Sequence, residues 1–113
     1  KRNAGGEALN AYMHSRAGML NPIGLLGGIY IIEGTGQRII PALMPMLRHQ
    51  AGLNDKQLNF LRYHGENDEH HLQRWLTAVK IAVETGGDSA CADILATAKA
   101  VADLYALQME CVL

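Results

Sequence analysis

Between residues 58 and 82, apolar side chains fall at steps of three and four. They are Leu58, Leu61, Leu72, Trp75, Val79 and Ala82. That spacing is the core-facing stripe of a packed helix. Carried through its middle, the stripe picks out His64, Asp68 and His71. At about 100° per residue these three share an arc of roughly 60°. Groups with metal-ligand chemistry thus stand where the pattern demands hydrophobes. A buried, unpaired carboxylate costs several kcal/mol and needs a compensating charge. Two imidazoles can hydrogen-bond it, but a metal ion satisfies all three groups at once.

The 113 residues read as one all-α domain, 1–113. A net charge of −1, with no basic run interleaved with aromatics, excludes a nucleic-acid partner. The longest apolar run, Ile23 to Ile32, ends in Glu33 and is too short to cross a bilayer. No signal peptide is read, and a chain beginning at Lys1 suggests a processed end or a fragment edge. Cys91 and Cys111 lie in helical patterns and read as buried hydrophobes rather than a disulfide framework. A reducing, cytoplasmic setting follows as the expectation.

In chain order, Gly5-Gly6 are expected to fray before a helix over 7–20. Asn21-Pro22 signals a second start, Asn as cap and Pro in the first helical position. The segment 22–33 is apolar nearly all round and should be buried on most sides. Gly34-Thr35-Gly36 is expected to bend or interrupt it before it resumes to Gln50, kinked at Pro41 and Pro45. Asn54 and Gln57 form a capping box for a helix over 55–85, which Gly86-Gly87 ends. Asp88 or Ser89 then caps a helix to the C-terminus. No stretch alternates as a strand would. A helical bundle of about four helices follows. These helices lack partners of matching length, so a homodimer, or helices of a longer parent chain, should complete the bundle.

His64-x-x-x-Asp68-x-x-His71 carries the chemistry. The outer imidazoles stand about 10 Å apart along the axis at the Cα level. That is long for one ion but suits two ions roughly 3.5–4 Å apart, with Asp68 between. The competing reading is a solvated polar face, since Arg62, Glu66, Asn67, Glu69, His70 and Arg74 are close by. Glu33, at the end of an apolar run, reads as a buried carboxylate seeking a cation and a natural fourth ligand. Its bland alternative is an exposed helix terminus, where the macrodipole would disfavour it. Glu7 and His14 share a helix face but read as surface. The methionines Met13, Met19, Met44, Met46 and Met109 read as core filler. No nucleophile set is supported by the spacing.

Two stretches resemble a known family. Gly27-Gly28-Ile29-Tyr30-Ile31-Ile32-Glu33-Gly34 is similar to the Tyr-x-x-Glu-Gly helix of the heme-oxygenase-like superfamily. Residues 63–71 resemble the His-x-x-x-Asp-x-x-His helix of its iron-containing redox branch, the heme-oxygenase-like di-iron oxidases. Order and separation match over residues from about 20 to the C-terminus. The resemblance implies a heme-oxygenase-like bundle, truncated here to about its C-terminal half, with Glu33, His64, Asp68 and His71 as iron ligands. It further implies two irons per complete site, with manganese possible, and oxidation of a small organic substrate by O2. Further Glu and His ligands of the family lie on earlier helices and have no counterpart here, and heme is disfavoured.

Two function classes follow. The first is a non-heme di-iron oxidase or a reduced relative, with Glu66 or His70 behind the ligands. The second is a non-catalytic helical dimerisation or ligand-binding module of the same fold. A cofactor-free, thiaminase-like enzyme would need a catalytic cysteine, and Cys91 and Cys111 lie far from the cluster in sequence.

Overall fold

The computed structural model describes residues 2–112, apart from the side chains of residues 66–69. The chain is all-α, and no strand occurs among the described residues. Its elements are α1 (Ala4–Ala17), α2 (Leu25–Gln50) and α3 (Asn59–Glu110). Gly87, at φ 61° and ψ −150°, is non-helical and divides α3 into arms 59–86 and 88–110. A left-handed φ is what a glycine stop supplies at no Cβ cost. The expected break at Gly86-Gly87 is therefore present, and the helical segments number four, as expected.

Two compact units are formed, Lys1–Ile32 with Trp75–Leu113, and Glu33–Arg74. In the first, α1 runs antiparallel to the 88–110 arm. Asn3 accepts a hydrogen bond from the Gly6 amide at 2.8 Å, capping α1, and donates through Nδ2 to the Gln108 carbonyl at 3.0 Å. Gly5 lies so close to the Gln108 backbone that a Cβ there would stand 2.5 Å from it. Gly5-Gly6, expected to fray, are buried and open the helix at Ala4 rather than at 7. At the other end of α1, Arg16 pairs with Asp93. Leu9, Ala82, Ala90, Ile94 and Val101 form the core of this unit, with Thr97 buried among them.

The start of α2 also belongs here. Leu25, Leu26 and Gly27 donate to the carbonyls of Pro22, Ile23 and Gly24 at 3.0, 3.2 and 3.0 Å. These are three-residue steps, so Asn21-Pro22 opens a tight turn and α2 proper begins at Leu25. Gly27 meets the Ile94 carbonyl and Ala98, and Gly28 meets Val101 and Met13. The glycine face of α2 is thus the buried one, while Tyr30 is exposed and its apolar neighbours are half-buried. Burial on most sides is not what the chain achieves.

The second unit is a helical hairpin. Gly34 faces Leu72, and Gly65 lies against Ile40. These pairs fix an antiparallel register between α2 and α3. Contrary to expectation, Gly34-Thr35-Gly36 does not interrupt α2. Each glycine costs about 1 kcal/mol of helix propensity, and tertiary contact outweighs it. Helix also continues through Pro41 and Pro45. Both prolines are exposed, so water can take the carbonyls they leave unbonded. The capping box is present. Gln57 N–H donates to Asn54 Oδ1 at 3.1 Å and Asn54 N–H to Gln57 Oε1 at 3.0 Å. The helix itself starts four residues later than the expected 55, at Asn59. Ile40 and Leu58 are the buried hydrophobes.

Some side chains expected inside are outside. Met19, Met46 and Met109 are exposed. Cys111 is exposed and Cys91 half-buried, both as free thiols. Among the described residues, no helix is long and apolar enough to cross a membrane.

Candidate metal centre

All four sequence-predicted ligands belong to the hairpin unit, Glu33 from α2 and His64, Asp68 and His71 from α3. Asp68, and with it Glu66, lies outside the described residues. The stripe that pointed to them holds. Leu58 and Ala82 are buried, and Leu61, Leu72, Trp75 and Val79 are half-buried. His64 and His71 are half-buried too, whereas Arg62, Tyr63, His70 and Arg74 are exposed. The two imidazoles therefore share the sheltered side of α3.

The structure refines where that shelter comes from. The contact line of α3 against α2 passes through Gly65 and Leu72. His64 and His71 each precede one of these residues, which turns them about 100° from the line. They flank the α2–α3 contact rather than fill it. Phe60 and Tyr63 lie against His64, with ring centroids at 4.5 Å (tilted 57°) and 5.7 Å (edge-on, 88°). Offset and edge-on aromatic contacts of this kind fix a ring's orientation. Neither His64 nor His71 is without a partner.

Glu33 is half-buried, and its Oε2 is shut away from solvent with no hydrogen-bond partner. A carboxylate oxygen in that state carries a desolvation cost that a cation would offset. The register set by Gly34–Leu72 and Ile40–Gly65 puts Glu33 level with residues 72–73. It is nearest in level to His71, and roughly 13 Å along the axis from His64 at 1.5 Å per residue. Among the described residues, no three His, Cys, Asp or Glu side chains gather as a metal-holding group. The structure thus aligns Glu33 with His71 and holds His64 by aromatic contacts further along.

Two features of this region leave little trace in the sequence. The Phe60–Tyr63 pair around His64 was signalled only by aromatics at i−4 and i−1. The Gly65–Ile40 contact, which sets the register, had no signal beyond a glycine inside a helical pattern.

Residues 4–106 match the model of a family described as iron-containing redox enzyme. The match takes in α1, which lies before the stretches that carried the resemblance. No curated protein and no solved structure matches the chain.

Proposed function

The chain belongs to the iron-containing redox enzyme family, and from that premise we propose that it is a non-heme, metal-dependent oxidase acting on a small organic substrate with O2. The observation that carries this reading is the solvent-shielded, unpartnered Oε2 of Glu33 on the helix facing the histidine-bearing arm. The donor set, two carboxylates and two imidazoles, suits iron or manganese in a helical bundle. Glu33, His64, Asp68 and His71 would hold the metal, which when bound would supply the redox equivalents for O2 chemistry. The protein's own part is to orient and exclude. Phe60 and Tyr63 steady the His64 ring, and Leu72 closes the space beside Gly34 next to Glu33. The free thiols Cys91 and Cys111 suit a reducing, cytoplasmic setting.

The test is iron content after anaerobic Fe(II) loading and desalting. The reading expects about two irons per complete site, and loss of most of that iron in His64→Ala and in His71→Ala. Unchanged iron in either variant removes that histidine from the ligand set. A wild-type chain that retains no iron returns the fold to the second reading, a non-catalytic binding or dimerisation module.

A further inference from the structure

The hairpin Glu33–Arg74 consists of two helices, and two helices can enclose apolar surface only along the line between them. On α3 that line passes through Gly65 and Leu72, with Leu61 in the same arc of about 40°. A second stripe, Phe60, His64 and His71, lies about a quarter turn round the helix. On α2 the contact reaches from Gly34 round to Ile40, with Leu47 in line with Ile40, and Ile39, Leu43 and Met46 form a second stripe about a quarter turn beyond Ile40. Two apolar stripes a quarter turn apart are what a helix needs when it touches two neighbours in a four-helix bundle. Each helix of this hairpin has one such neighbour within the unit. The second stripes stay open in part, with His64, His71 and Leu43 half-buried on them: Phe60 is 70% exposed, Tyr63 beside it 57%, Ile39 51% and Met46 50%.

We propose that a second copy of this chain covers these stripes, the two Glu33–Arg74 hairpins packing face to face about a twofold axis. The register supports one continuous patch, since Met46 stands level with Phe60 and Ile39 level with residues 66–67. An aromatic side chain presents about 150–250 Å², so the exposed fractions of Phe60 and Tyr63 together with the exposed halves of the smaller Ile39 and Met46 offer roughly 450 Å² per copy. A self-complementary pairing would bury about 900 Å² from these alone, close to the ~1,000 Å² expected of a biological interface before flanking residues are counted. The patch is also of the few-hundred-Å² size that marks an interaction site.

The pairing has a consequence for the metal, and this part rests on the proposed function. Four donors in one hairpin fall short of the about six that helical bundles use for a two-metal centre. His64 and His71 lie on the stripe that meets the second copy, so dimerisation brings a second donor set to the same seam.

Sedimentation equilibrium of the full chain, metal-free and then Fe(II)-loaded, tests this. Wild type is expected to be dimeric at micromolar concentration. Phe60→Lys and Met46→Lys, both at exposed positions, are expected to weaken the dimer at least tenfold with helicity by circular dichroism unchanged. His71→Ala should lose iron yet stay dimeric, which separates failure of the metal reading from failure of the interface. A dimeric chain that binds no iron upholds the interface and overturns the metal reading. A wild-type monomer, its stripes left to another occupant, overturns the interface. So does a dimer that neither lysine substitution weakens.

Discussion

The two units of this chain are built to different tolerances. In the unit of α1, the start of α2 and the 88–110 arm, backbones approach through glycine. A Cβ on Gly27 would stand 2.0 Å from the Ile94 carbonyl oxygen, and one on Gly5 2.5 Å from Gln108. In the hairpin unit the approaches are to side chains and wider: a Cβ on Gly65 would meet Ile40 at 3.0 Å, and one on Gly34 nothing nearer than Leu72 at 3.8 Å. The first unit pairs its part-buried charges, Arg16 with Asp93, and leaves only the Arg16 Nε and the Thr97 hydroxyl, neither of them an acid, buried without a partner among the described residues. The second leaves the Glu33 oxygen buried and unpartnered. Close packing and paired charge are what stability requires. A shielded acid oxygen beside wider approaches suits the ligand-holding role proposed for Glu33.

The sharpest way to break that contrast is to add one methyl group to each unit. Gly27→Ala is expected to cost about 3 kcal/mol, because the obstacle is backbone and cannot swing aside. Its melt should fall by several degrees or lose cooperativity. Asp93→Asn comes next. It strips Arg16 of its charged partner, and Arg16 Nε is already buried without one. With Asp93 a third exposed, solvent screening holds the loss to about 1–2 kcal/mol in urea unfolding. Gly34→Ala should go the other way, gaining up to about 1 kcal/mol of helix propensity with no clash. A Gly34→Ala loss as large as that of Gly27→Ala would show that the hairpin is as tightly fitted as the first unit. Smallest is Asn54→Ala, which removes half of the capping box and should cost about 0.5–1 kcal/mol.

How much could be read beforehand follows the same division. Periodicity located the α3 stripe because every residue on it has the same task, to stay sheltered. Asn54 and Gln57 were legible because a capping box is a local device. Gly87 was legible as a stop because left-handed backbone favours glycine. Gly5 and Gly34 both misled toward disorder. Propensity counts the cost of a glycine and is blind to the backbone it lets approach. Gly5 looked like fraying and is a contact with Gln108, whereas Gly34 looked like a bend and sits inside a helix. The candidate ligands were legible as residue types in the wrong place. The offset of His64 and His71 by a quarter turn from the Gly65–Leu72 line was not, because it depends on which face of α2 they meet.

One measurement bears most directly on the claim that the unpartnered Glu33 oxygen exists to hold a metal. It is the thermal shift produced by Fe(II), under anaerobic conditions, in wild type and in Glu33→Gln. A ligand that binds only the folded chain must raise its melting temperature. Glu33→Gln, relieved of a buried carboxylate, should be at least as stable as wild type without metal. A clear rise with Fe(II) is expected for wild type and little or none for Glu33→Gln. Equal shifts in both proteins, or no shift in wild type, would contradict that claim.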